Sequence, residues 1–465
     1  RLTNPTYART QFVDGVPAVG EALIHTDHAS ASSTSNWKTV LVSGMGGGAQ
    51  GLFALDVTKP ESFGASNVMF EFTDRDDPDM GNIMGKPRIV KMQRALVSGG
   101  TTTYVTRWYI AVSSGYNNYA PDGHASTTGT QSLFLLSLDK KPGDPWTLGT
   151  LGAADDASHN YYKISVKPPN APTVASKEAV GMSSPGIVED VFGNAVAFYT
   201  GDLAGQLWKF NFKNGINSVT ADDAVVTDSG EKLPLAIFKD ATGKAQPITS
   251  APLVSLAQQK GYIVMAGTGK FMEASDAASA SGTQQAIYGI WDDDLNAASG
   301  YKITRDKLQV RNFDATGKTD STPFTFGSTS GHKLGWVINL KESKERVVVE
   351  GALEMGYASF NSVLPSADEC SGGGTGASMT IDPLQGTSTR LLHESFPGTP
   401  FFAYLDDSDG SYSFGARSST GKRIYKIKVK PLMIGSNKNL IEGANKEINV
   451  AAGRVGWREI RQFLD

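Results

Sequence analysis

Tyr199-Thr-Gly-Asp-Leu-Ala-Gly-Gln-Leu-Trp-Lys-Phe-Asn211 reads as the end of one short strand, a tight glycine turn and a second strand. The residues just ahead, Ala195-Val-Ala-Phe, are apolar and extend the first strand backwards. In Gln206–Asn211 residues of opposite character alternate, the period-2 mark of a half-buried strand. The design recurs along the chain. Lys38-Thr-Val-Leu-Val-Ser-Gly44 leads to Gly51-Leu-Phe-Ala-Leu-Asp56, and Arg107-Trp-Tyr-Ile-Ala-Val-Ser-Ser-Gly115 to Leu133-Phe-Leu-Leu-Ser-Leu-Asp139. Gly261-Tyr-Ile-Val-Met-Ala-Gly267 leads to Ala286-Ile-Tyr-Gly-Ile-Trp-Asp292. Weaker copies lie near 345–357 and 423–430. Each copy is a strand, a glycine turn, a strand and a closing Asp or Asn. Val, Ile, Tyr, Phe and Trp dominate, which suits a pleated surface.

Few segments carry a 3.6-residue apolar period, so the fold class is all-β. The copies stand roughly 77 residues apart on average, longer than the ~40–50 residues of common propeller repeats. A chain of 465 residues then holds about six such units, within the usual propeller range of ~4–8 blades. The expectation is a modified β-propeller with long loop insertions. Separate β-sandwiches are the alternative, but they predict strands at even spacing without this self-similarity. The insertions at 113–132, 276–285, 312–333 and 366–389 are rich in Gly, Ser, Thr and Asn and read as surface loops, where recognition concentrates.

Composition narrows the function. Lys+Arg 43 against Asp+Glu 47 leaves a net charge of −4, which argues against binding by broad phosphate neutralisation. The single cysteine, Cys370, can form neither an internal disulfide nor a thiolate zinc site. There is no apolar run of ~18 residues. The chain starts at Arg1 without an initiator Met and reads as a piece of something longer.

Chemical motifs give way to plainer readings. Gly44-Met-Gly-Gly-Gly-Ala49 has dinucleotide-fingerprint spacing, yet a strand follows where a helix is required, so it reads as a hairpin turn. Gly267-Thr-Gly-Lys270 is followed by Phe271 instead of the Ser or Thr of a P-loop. His25-Thr-Asp-His28 lacks further ligands nearby and reads as a polar loop. Asp74-Arg-Asp-Asp-Pro-Asp79 and Asp406-Asp-Ser-Asp-Gly410 lack the spacing of a twelve-residue calcium loop and read as acidic turns. Trp37, Trp108, Trp208, Trp291, Trp336 and Trp457 read as blade core. No nucleophile elbow occurs.

The string 199–211 closely resembles the Y-x-G-D-x-x-G-x-L-W-x-F-D signature of the PilC/PilY family, the tip-associated adhesins of type IV pili. Phe12-Val-Asp-Gly15, Trp37–Gly48, Phe53-Ala-Leu-Asp-Val-Thr58, Asp79-Met-Gly81, Gly85-Lys-Pro-Arg-Ile-Val90, Ser113–Asn117, Thr249-Ser-Ala-Pro-Leu253, Gly267–Lys270, Tyr288–Asp292 and Trp457–Ile460 resemble its other segments in the same order. Tyr199, Gly201, Asp202, Gly205 and Trp208 are the signature positions, with structural roles. The resemblance implies the family's C-terminal propeller of seven blades. It implies one domain over 1–465 that lacks the first blade and the N-terminal adhesive module. It also implies a non-enzymatic role in pilus assembly, in opposing retraction and in attachment, with DNA uptake in some relatives. The implied partners are minor pilins at the tip and an unidentified surface or host ligand. The implied location is the periplasm, outer membrane and pilus tip of a Gram-negative bacterium. Tyr116, Asn117 and Tyr119 are candidate contact residues, because Tyr gives large amphipathic contact at low entropy cost.

Many relatives carry a calcium loop, D-x-D-x-D-G-x-x-D, just ahead of the signature. Aligned on Tyr199 and Gly201, its positions fall on Val188, Asp190, Phe192, Gly193 and Val196. Only Asp190 and Gly193 survive, so the expectation is a kept turn and a lost ion, with no cofactor. The competing reading is a quinoprotein dehydrogenase, also a propeller. Such enzymes use calcium, a catalytic Asp and an adjacent-cysteine disulfide, which one cysteine cannot supply.

Overall fold

The computed structural model describes residues 12–28, 30–98, 100–119, 123–128, 130–151, 159–167, 181–213, 215–216, 227–228, 231–258, 260–273, 276, 283–293, 303–354, 356–366, 374–405 and 423–452. Six principal sheets follow one another along them. The first blade pairs Ala18–His25, Ser35–Gly44, Gly51–Asp56 and Val68–Thr73, all antiparallel. The second uses Arg88–Ser98, Thr101–Ser113, Gln131–Ser137 and Tyr161–Val166. The third uses Gly186–Glu189, Ala195–Gly201, Gln206–Asn211 and Ala236–Ile237.

The fourth blade pairs Leu253–Leu256, Tyr262–Gly267, Ala286–Asp292 and Gly335–Asn339, and adds Gln309–Arg311 as a parallel edge strand. The fifth holds Ala352–Glu354, Tyr357–Pro365, Gly374–Ile381 and Ser388–His393. In the sixth, Phe401–Leu405 lies on one side of Arg423–Ile434, and Leu440–Glu442 and Lys446–Ala452 pair with it further on. This is the β-propeller the ribbons predict.

The first strand of each blade is the inner edge, and those of adjoining blades touch (first and second, third and fourth, fourth and fifth, fifth and sixth). Proline stands immediately before five of them, at Pro17, Pro87, Pro185, Pro252 and Pro400, with Gly351 in the fifth blade. A residue with no N–H fits the start of an edge strand, where no ladder bond is owed. The cores lie between blades. One joins Val90, Met92 and Tyr109 of the second blade to Phe198, Trp208 and Phe210 of the third. Others bridge the first and second, the third and fourth, and the fourth and fifth blades.

That packing corrects the half-buried reading of Gln206–Asn211. Trp208 and Phe210 enter the core shared with the second blade, Leu207 the core shared with the fourth, and Lys209 is only 8% exposed. Alternation here sorts residues between two buried faces. Two further expectations shift. The fifth ribbon lies at Tyr357–Pro365 and Gly374–Ile381, C-terminal to the weak copy, so the stretch read as a surface loop at 366–389 contains a buried strand. Its Ser, Thr and Gly residues are small enough to pack among Ala377, Met379 and Ile381. The repeat at 423–430 falls within Arg423–Ile434. Among the tryptophans, Trp208 and Trp336 are fully buried, whereas Trp37 is 60% exposed and packs edge-on against Trp108. Cys370 and Trp457 lie outside the described residues.

Candidate functional site

The signature string builds a lock. Gly205, at φ +76°, closes the turn against the carbonyls of Phe238 and Gln246, a conformation and a clearance that favour glycine. Gly201 lies against Ile248 so closely that a side-chain carbon there would sit 2.2 Å from it. These glycines bring Asp202 into the interior, 1% exposed. One carboxylate oxygen accepts from Trp208 Nε1 at 2.8 Å and from Gln131 Nε2 of the second blade at 2.8 Å; the other accepts from the Gln206 N–H at 2.8 Å. Burial pushes Asp202 up to about 6, against the pull of those donors. Tyr199 donates to Asp292 of the fourth blade at 2.5 Å, and Lys209 pairs with the same carboxylate at 2.6 Å.

The acid that closes each ribbon therefore divides by role. Asp139 also reaches back a blade, taking the His25 N–H at 2.7 Å and pairing with Arg107 at 3.1 Å. Asp56 and Asn211 accept from the N–H groups of Thr58 and Lys213 in their own turns.

One pH dependence follows. Asp202 titrates higher in the fold than its ordinary 3.8 in an unfolded chain, so the native state holds more protons between those values. Its contribution is fullest below pH ~4 and is lost as pH rises through ~6. Denaturation of wild type and Asp202→Asn across pH 4–7.5 checks this. The wild-type advantage should shrink between pH ~4 and ~6 and stay level above; a gap that widens with pH refutes it.

The calcium-type loop lies between Gly186–Glu189 and Ala195–Gly201. Asp190 is spent on its own turn: Oδ1 takes the N–H groups of Phe192 and Asn194 at 2.8 and 2.9 Å, and Oδ2 takes Asn194 Nδ2 at 2.9 Å. Burial alone would raise its pKa, but the Asn194 and Phe192 bonds and nearby Lys91 hold it below the usual carboxylate value. Val188 is buried, and Phe192 is 75% exposed. Lys91 of the second blade donates its ammonium to the Phe192 carbonyl at 2.5 Å. Ca²⁺ needs about 6–8 oxygen ligands, several of them carboxylate. This donor set does not fit it, and an ammonium already holds the loop backbone. Melting of the purified chain should be unmoved by EGTA or millimolar Ca²⁺, while Lys91→Met should loosen the loop by about 1 kcal/mol. A calcium-dependent rise in Tm that Asp190→Asn abolishes would refute this reading.

The other acidic cluster also holds a lysine. Asp77 contacts Lys163 Nζ at 2.8 Å and Asp79 contacts it at 2.9 Å; Ser126, Thr128 and Thr130 complete the ring around Asp79. Asp406–Asp409 lie outside the described residues. At the histidine pair, His25 faces Ser33 and Arg107 through its two ring nitrogens, as a polar loop.

The candidate contact loop is more buried than expected. Tyr116 is 8% exposed and donates to the Thr249 carbonyl at 3.3 Å, so it is packing between blades and not a surface contact. Asn117 is exposed at φ +63°, and Tyr119 is half-buried. Asn117 lines a cleft of about 730 Å³ with Gln50, Glu71, Asn82 and His124.

The loops joining second to third strands share a face with the connectors leading to the inner strands. Gly46 N–H donates to Ile83, Gly81 N–H to Ser114, Gly269 N–H to Pro247 and Val347 N–H to Thr268. At its centre the connectors converge on a cavity of about 280 Å³ that touches all six blades: Val16, Met84, Ser184, Ser250, Val348 and Thr399 precede their respective inner strands. Sequence reasoning missed this hub, although the prolines just ahead of the inner strands mark it.

Comparison with known proteins gives three likenesses. Residues 173–326 match the family described as the PilY1 beta-propeller domain. The chain is 27% identical over 423 residues to a type IV pilus biogenesis factor PilY1 homolog of Xylella fastidiosa, covering 89% of this chain and 26% of that protein. It is 26% identical to type IV pilus biogenesis factor PilY1 of Pseudomonas aeruginosa PAO1, covering 82% of this chain and 31% of that protein. The chain thus spans between a quarter and a third of the length of these relatives. The crystal structure of the P. aeruginosa PilY1 C-terminal domain superposes with a TM-score of 0.60 at 20% identity, over 93% of this chain and 84% of that one, which shows a shared fold. With the signature string, the hub and the ribbons in place, the chain is similar to the PilY1 β-propeller family over residues 173–326 and shares the fold of the PilY1 C-terminal domain.

Proposed function

We propose that the chain is the propeller part of a type IV pilus biogenesis factor and works as a docking platform without chemistry of its own. The observation that carries this is the match, over most of the chain, to proteins named for pilus biogenesis. The buried acids support it: Asp77, Asp79, Asp139, Asp202 and Asp292 are each engaged by a cation or a hydrogen-bond donor within the fold, so they serve structure.

On this reading the partners are minor pilins at the pilus tip, and attachment to a surface or host cell, or support of DNA uptake, follows through the whole protein. The face carrying Asn117 and Tyr119 meets them through polar contacts in the cleft beside Gln50. Location is exported, at the outer membrane and pilus tip. Among the described residues no helix is long and apolar enough to cross a membrane.

The test is co-purification of this chain with minor pilins, alongside restoration of surface piliation by the full-length protein. Capture that weakens with Asn117→Asp and Tyr119→Ala supports the platform. Failure to capture any minor pilin, or turnover of pyrroloquinoline-quinone-dependent dye reduction by the purified chain, removes it.

A further inference from the structure

We infer that the hub cavity is a receptor for the free C-terminal carboxylate of a polypeptide whose last side chain is aliphatic, methionine or phenylalanine. The inference rests on the docking reading and names the chemistry the platform grips.

The walls are mainly apolar: Val16, Met84, Phe271, Met272, Val348 and Val349 come from four different connectors and loops. Methionine adapts to varied aliphatic shapes. Ser184, Thr249, Glu350 and Thr399 add polar groups to the lining, and two further polar side chains stand out. Lys86 is half-buried at the rim, and no carboxylate among the described residues pairs with its ammonium. Ser250 is 4% exposed, and its Oγ has no hydrogen-bond partner. A buried hydroxyl left unpaired carries a desolvation cost that a bound acceptor relieves.

The remaining charges cancel. Glu350 lines the cavity but pairs with Arg88, which comes from the second blade and also donates to the Pro185 carbonyl at 3.1 Å. That pair joins the second and fifth blades across the hub. The excess charge facing a ligand is therefore the single cation of Lys86. One cation, one buried hydroxyl without a partner and a mainly apolar wall complement a group that is anionic at one atom pair and apolar beside it. The last residue of a polypeptide has that form. A side-chain carboxylate of Asp or Glu carries no apolar group to fill the wall. A phosphodiester chain needs several cations. The cavity, about 280 Å³, is at the small end of ligand sites and suits one terminal residue. Because all six blades set its rim, the site is preformed, so little ordering is spent on binding.

Fluorescence anisotropy with the whole chain tests this. The probes are dye-labelled Gly-Ser-Gly-Ser-Leu with a free carboxylate, its C-terminal amide, and the same peptide ending in Lys. The free acid should bind, with the amide and the Lys peptide about tenfold weaker or worse. Lys86→Met, an outward rim change, should bring the free acid down to the level of the amide, and Ser250→Ala should give a smaller loss. Circular dichroism and melting confirm that both variants fold. Equal binding of acid and amide, no effect of Lys86→Met, or no binding of the free acid overturns the inference. Minor pilins captured with equal strength by wild type and Lys86→Met would leave the docking reading standing while the hub receptor falls. Peptide binding without pilin capture would do the reverse.

Discussion

Trp208→Ala should lower the unfolding free energy by about 3–5 kcal/mol, read from urea denaturation of the purified chain. The side chain is fully buried in the core between the second and third blades, among Tyr109, Leu135, Phe198 and Phe210. Cutting it to a methyl leaves a cavity walled by rigid strands on both sides, which cannot collapse far. It also removes the Nε1 donor that Asp202 holds at 2.8 Å, so a buried carboxylate loses one of its hydrogen-bond donors. Trp208→Phe separates the two effects. It keeps most of the volume and loses the bond, and should cost about 1–3 kcal/mol. If Trp208→Ala stays within about 1 kcal/mol of wild type, the signature is not an inter-blade lock and its residues need another account.

How far the fold is legible in the sequence depends on whether a signal is local. Each ribbon is two strands and a turn within a few dozen residues, so glycine, β-branched residues and a closing acid mark it directly. The signature lock is half local: Gly201, Gly205 and Trp208 lie within the string, but Gln131 is 71 residues away and Asp292 is 93 from Tyr199. What the closing acids bind is set by the neighbouring blade. Lys91 is a sharper case. Nothing around it suggests a role, because the Phe192 carbonyl it holds is 101 residues distant. The departure of this loop from the calcium pattern is legible in the sequence, whereas the ammonium that holds its backbone is not.

The misreadings share a cause. Tyr116 looked exposed because its neighbours are Ser, Asn and Gly, yet the loop folds inward and the ring is shielded by residues of later blades. Gly374–Ile381 looked like a loop because small polar residues also suit a strand pressed between two sheets. Composition reports solvent exposure only when one face of an element is free, and in a propeller the third strand often has none. The prolines before the inner strands were visible throughout. They carry little signal singly, and only the common register, each just ahead of an inner strand, reveals the hub.

Glu345→Ala should cost about 3–5 kcal/mol, because it strands a guanidinium inside the protein. Glu345 is fully buried on the connector between the fourth and fifth blades. Its carboxylate takes Arg390 Nε at 3.1 Å and Nη2 at 3.0 Å, the hydroxyl of Ser362, and the N–H groups of Lys341 and Glu342 at 3.1 and 3.2 Å. One side chain thus ties the connector to the second and fourth strands of the fifth blade. Arg390 is 3% exposed at its side chain, so water cannot take over for the lost carboxylate. The pair itself adds little net stability, since both charges were desolvated to form it; the cost arises from breaking it one-sidedly. Arg390→Met combined with Glu345→Gln removes both charges and should recover much of the loss, whereas either single change should not. If Glu345→Ala and the double variant are equally unstable, the connector is held by its backbone bonds and the ion pair is incidental. If Glu345→Ala alone is near wild type, the site admits water and the fifth blade is not anchored through it.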